Sequence, residues 1–116
     1  MGDRANIIIT QGRNDPPVVV YSHWGGSWLH DGPGLREIQD AARTRIGDSH
    51  YYTALAIEVM SRRGFLSGVG TSLDDNEYPV IVLSSITGEA TTISEAEARD
   101  FLAEWKENLT SGIDGH

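Results

Sequence analysis

The densest group of chemically capable side chains in the 116-residue chain is the run Tyr21, Ser22, His23, Trp24, Gly25, Gly26, Ser27 and Trp28. His23 is suited to act as a general base or to orient a ligand. Trp24 and Trp28 are suited to stack on a planar ring beside Tyr21, and Gly25 and Gly26 to let a ligand approach the backbone. The same residue types also serve a fold without any ligand, with the two indoles in the core, the glycines in a turn and His23 on a carbonyl. Arg4 precedes the first strand-like segment, and hairpin pairing brings it near His23. There it can hold an anion, or form an ion pair with Asp3 or another acid.

Other motifs are weaker. Ser22, Ser27 and Thr71 lack the Gly-x-Ser-x-Gly surround of an activated serine. Residues 67–71 (Ser-Gly-Val-Gly-Thr) resemble a phosphate loop only in their glycines; they lead into no helix and lack the Gly-Lys-Ser/Thr ending. Their simpler reading is a glycine-bearing strand that lets another group pack closely. His50, with Asp48 and Ser49, sits at a helix start. The histidines at 23, 30, 50 and 116 show no helical metal-pair spacing, so neither a metal nor another cofactor is expected. Asp74, Asp75 and Glu77 read as a solvated turn, because no calcium-loop pattern follows them.

These residues need elements to position them. Residues 5–11 and 17–23 are β-branched runs around a Gly/Asn/Asp/Pro turn, which predicts a hairpin. Residues 24–34 carry five breakers and read as irregular. Leu35, Ile38, Ala42 and Ile46 then recur at helical spacing up to Gly47. Tyr52, Leu55, Ala56 and Val59 mark a second helix, which Gly64 ends. Residues 65–71 and 79–84 read as a second hairpin, and 90–93 as a further strand. Ser94 and Glu97 have the spacing of a capping box ahead of a stripe of Ala98, Phe101, Leu102, Trp105 and Leu109. Residues 1–110 are expected to form one domain, with 111–116 a frayed tail.

The segregated order predicts an α+β fold: an antiparallel sheet of about five strands, with two consecutive helices and a C-terminal helix packed against it. Residues 7–9 and 18–20 are continuously apolar rather than alternating. Both strands should therefore be covered on two faces, either by the chain itself or by a second copy in a homodimer.

Charge and composition narrow the class. Seventeen acids against nine bases give a formal charge of -8. Residues 1–73 hold seven of each, so the whole excess falls in residues 74–116, with ten acids against Arg99 and Lys106. Duplex nucleic acid is thus an unlikely partner, since phosphate contacts need clustered bases. The candidate loop lies in the neutral part, and the acidity reads as a solvated surface. There is no cysteine, which removes disulfides and thiolate chemistry. No apolar run approaches the roughly 20 residues of a membrane span, and no signal peptide is evident, so a cytoplasmic protein is expected.

Residues 2–6 (Gly-Asp-Arg-Ala-Asn), 23–26 (His-Trp-Gly-Gly), and the Gly-Val-Gly-Thr-Ser block with Asp74 together resemble a group of small proteins from actinobacteria and their phages. The resemblance covers the chain up to about residue 84 and implies no activity, but it links Arg4, His23 and Trp24 as one constellation. The layout also resembles N-terminal-nucleophile hydrolases in starting on a strand. Here removal of Met1 exposes Gly2, which carries no nucleophile, so an active enzyme of that type is not expected. The leading expectation is a small cytoplasmic module that binds a ligand or a host protein without catalysis, with a phage-encoded accessory or counter-defence protein as one form of it. The alternatives are a hydrolase or nucleotide-processing enzyme using His23 and Arg4, and an acidic interaction protein or nucleic-acid mimic.

Overall fold

A computed structural model describes residues 3–12 and 15–114, with 107–114 as backbone only. Five strands, β1 (Ala5–Thr10), β2 (Val18–Ser22), β3 (Gly68–Gly70), β4 (Val80–Ser84) and β5 (Ala90–Ile93), form one sheet in the order β3-β2-β1-β4-β5. Four helices accompany it: α1 (Gly26–His30), α2 (Gly34–Ala42), α3 (Ser49–Arg62) and α4 (Glu95–Asp114). The class is α+β, but the sheet is mixed. β1 pairs antiparallel with β2 (Ile7 opposite Val20) and parallel with β4 (Ile7 opposite Ile81).

The expected second hairpin is therefore corrected. β3 and β4 do not pair with each other; β3 adds to the outer edge of β2, and β4 lies on the far side of β1. The physical reason is burial. Val80, Ile81 and Leu83 are all buried, and a strand apolar on both faces is best placed inside a sheet rather than in an outlying hairpin. The three-residue β3, with two glycines, can tolerate an edge.

The chain covers both sheet faces itself. Ile7, Ile9, Val20, Ile81 and Leu83 pack under the helices of residues 26–62, against Leu29, Ile38, Tyr52, Ala56 and Met60. Ile8, Val19 and Val80 face the other way, against Ala98 and Leu102 of α4. The continuous apolar runs are explained within one chain. α4 begins with the expected capping box, in which Ser94 N donates to Glu97 Oε1 and Glu97 N to Ser94 Oγ, both at 3.1 Å. Its helical backbone extends to Asp114, into the segment read as a tail; residues 115–116 lie outside the described part, as does the side chain of Leu109.

Two local expectations also change. Residues 24–34 are not wholly irregular, because α1 forms inside them. Ile46 is not a core residue: α2 ends at Ala42, the 3₁₀ turn Arg43–Arg45 follows, and Ile46 is exposed. Gly47 does take the left-handed conformation, with φ of 93°.

Candidate functional site

Strand alternation sorts the candidate residues onto two sides of the sheet. Tyr21 shares a face with Ile8, Asn6 and Val19, and the β1–β2 register ends with Ala5 opposite Ser22. The register stops there, and Arg4 and His23 each flank its last pair. The Tyr21 hydroxyl and His23 Nδ1 are hydrogen-bonded at 2.9 Å, and the His23 ring meets Trp24 edge-on at 4.4 Å. The His23 backbone is anchored separately, its N–H donating to Ser67 Oγ at 2.9 Å, while Ser67 N donates to Tyr21 O. Tyr21, His23 and Trp24 thus form a continuous aromatic ledge at the end of β2. The indole of Trp24 is 62% exposed, the largest exposure among the big apolar side chains described.

The acidic segment reaches the same place. Asn6 is wholly buried, and its side chain grips the backbone of residues 74–76: Nδ2 donates to Asp74 O, Asp75 O and Asn76 Oδ1, and Oδ1 accepts from Asp74 N. Glu77 N donates to Arg4 O. These bonds hold Asp75 and Glu77 beside the Arg4 guanidinium, at 3.8 and 3.9 Å. Of the two readings of Arg4, the geometry matches the ion pair. Tyr21 feels the group as a whole. Burial raises its hydroxyl pKa above the ordinary value, Asp74 adds to the rise, and Arg4 opposes it. Asp74, Asp75 and Glu77 are exposed, as a solvated turn implies, and they also form an electrostatic border to the candidate residues.

Gly25, Gly26 and Trp28 belong to the other side, where they pack. A Cβ on Gly25 would collide with Ser22 Oγ, and one on Gly26 with the Tyr78 ring and with Asp3 O. Both glycines are buried, so they give the backbone to the fold rather than to a ligand. Trp28 stacks on Phe65 at 4.7 Å and borders the core.

Sequence reasoning missed a second polar cluster on this side. Asp3 accepts Ser27 N at 2.9 and 3.0 Å, Ser27 Oγ at 2.8 Å and the Tyr78 hydroxyl at 2.6 Å. His30 lies flat on Tyr78, with ring centroids 4.7 Å apart. The Tyr78 bond, then the Ser27 amide, hold the Asp3 carboxyl below its usual pKa, and burial lowers that of His30. A carboxylate saturated by three donor groups does not act as a base toward Ser27. The cluster is a latch that ties the start of the chain to α1 and to the approach to β4. No sequence spacing announces it, since its members are separated by up to 75 residues. Asn6 was more legible, as the one strongly polar residue at the head of an otherwise apolar strand.

Among the described residues no group of three or more His, Asp or Glu side chains is arranged to hold a metal ion, and no helix is long and apolar enough to cross a membrane. Concavities lie elsewhere on the described surface, two of which adjoin residues discussed above or a tryptophan. A cleft of about 460 Å³ lies beside His30 and Arg36, and an apolar groove of about 310 Å³ separates Pro16 and Pro17 from Trp105. Comparison of the chain with protein-family models, with curated proteins and with solved structures found no match.

Proposed function

We propose that this chain is a non-catalytic binding module whose recognition surface is the Tyr21–His23–Trp24 ledge. The observation that carries the proposal is Trp24. Its indole stands 62% exposed, yet its neighbour His23 is held by the Tyr21 hydroxyl and by Ser67. An exposed aromatic on a rigid strand end supplies contact area at low entropic cost, the usual character of a recognition anchor. The enzyme alternative has less support. Its anion holder, Arg4, already faces two carboxylates, and the hydroxyl of Ser27 is engaged as a hydrogen-bond donor to Asp3.

The test is a panel of nucleotides, cyclic dinucleotides and short peptides titrated into ¹⁵N-labelled protein. The expected result is that whichever members bind shift the Trp24 indole and the amides of Tyr21 and His23, and that Trp24→Ala abolishes those shifts. Perturbations confined to the His30 cleft or the Trp105 groove contradict the assignment, as does any turnover lost on His23→Ala.

A further inference from the structure

The ledge continues into the edge of the sheet, which no described strand covers. β3 is the terminal strand, so its outward backbone groups have no ladder partner among the described residues. Edge strands are normally guarded by brevity, a lysine, a proline, a bulge or a covering element, and of these β3 has its length of three residues. β3 reads Gly-Val-Gly, with neither charge nor proline, and Val69 is 53% exposed. Its glycines are not imposed by the fold. Neither adopts a positive φ; a Cβ on Gly68 would come no closer than 4.0 Å to Tyr21, and one on Gly70 would meet nothing. The strand also adjoins the ledge directly, with Gly68 opposite Tyr21 and Ser67 bonded to His23.

Charge indicates what fits there. Asp74, Asp75 and Glu77 border Tyr21 against the single cation Arg4, leaving a local excess of two negative charges. Such a border repels nucleic acid. It also disfavours a second copy of this chain, because two β3 edges laid together would bring two acidic segments toward one another. A lysine or arginine, by contrast, gains both the carboxylates and an exposed indole face, which attracts cations.

We propose that the free edge of β3 and the adjoining ledge receive an extended, cationic segment of a partner polypeptide, added to the sheet as a sixth strand. Main-chain hydrogen bonds to β3 would supply affinity, and a Lys or Arg near Trp24 and the 74–77 acids would supply selectivity. This inference rests on the ledge being the recognition surface and names the class of its partner.

The experiment titrates the ¹⁵N-labelled full chain with two synthetic heptapeptides, one alternating Lys and Val and the other alternating Glu and Val. The Lys–Val peptide should shift the Trp24 indole together with the amides of residues 67–70, and should weaken as salt is raised. Trp24→Ala should weaken it about tenfold. Because Gly70 lies on the Tyr21 face and a Cβ there would meet nothing, Gly70→Lys and Gly70→Glu should fold equally well, the first weakening the Lys–Val peptide and the second strengthening it. Equal or preferential binding of the Glu–Val peptide at the ledge overturns the cationic assignment while leaving the ledge as a recognition surface. Lys–Val binding that moves Trp24 but not residues 67–70 overturns the added strand. If neither peptide moves Trp24 the inference fails, and if the small molecules of the panel also leave Trp24 unmoved, the ledge reading fails with it.

Discussion

Asn6 and Asp74, 68 residues apart, exchange hydrogen bonds: Asp74 N donates to Asn6 Oδ1 at 3.2 Å, and Asn6 Nδ2 donates to Asp74 O at 3.3 Å. A single buried amide at the head of β1 thereby fixes where the acidic segment runs. It converts three surface carboxylates into the border of the aromatic ledge. Replacing Asn6 with Ala leaves backbone groups of residues 74 and 75 without their partner, at a cost of about 1–3 kcal/mol for each group that stays buried. We expect Asn6→Ala to lower the unfolding free energy by about 3 kcal/mol in urea and to release the Arg4 contacts with Asp75 and Glu77. A loss below about 1 kcal/mol would mean that the segment is held by something else.

The glycines separate into those the fold requires and those it does not. Gly26 sits against the Tyr78 ring and the Asp3 carbonyl, both parts of the Asp3 latch. Overfilling such a site costs about 1–3 kcal/mol, so Gly26→Ala should lower the melting temperature by several degrees. Gly70→Ala, in open space on an edge strand, should leave it unchanged or raise it. Equal effects at the two positions would contradict this division.

The latch gives stability a definite pH dependence. The Asp3 carboxyl titrates lower in the folded chain than in the unfolded one, so its contribution is fully present above the ordinary value of 3.8 and is lost as pH falls through the lower folded value. His30 behaves with the same sign. Burial favours its neutral ring, and the stability associated with that neutral ring is present above the ordinary value of 6.5 and lost as pH falls through the depressed one. Denaturation free energies should therefore decline in two stages on acidification. His30→Phe, which keeps a flat ring for Tyr78, should remove the first stage, and Asp3→Asn should flatten the second. A His30→Phe curve parallel to wild type between pH 7 and 5 would contradict the assignment.

Much of the local structure was legible because it depends on neighbours in sequence. The Ser94–Glu97 capping box, the left-handed Gly47 and the β1–β2 hairpin all follow from short-range pattern. The sheet order was not, because the pairing of β4 with β1 is decided by competition for the interior, and Val80, Ile81 and Leu83 win an interior position between β1 and β5 by burial on both faces. At the site, Tyr21, His23 and Trp24 were identifiable as a cluster of sequence neighbours, and Arg4 and His23 flank the last pair of the β1–β2 register. What sequence could not supply was the sorting of Trp24 from Trp28. The two lie four residues apart, but one ends exposed on His23 and the other, inside α1, stacked on Phe65. The contribution of Asp74, Asp75 and Glu77 was hidden for the same reason, since it depends on the long-range grip of Asn6.

The two indoles therefore provide the most direct test of the central claim, that Trp24 is kept for recognition while Trp28 serves the fold. The measurement is the unfolding free energy of Trp24→Ala and Trp28→Ala under identical conditions. The account predicts a loss of about 3 kcal/mol for Trp28→Ala and a change within about 0.5 kcal/mol for Trp24→Ala. A loss for Trp24→Ala as large as that for Trp28→Ala would contradict it, because Trp24 would then be a structural residue and the ledge would have no free anchor.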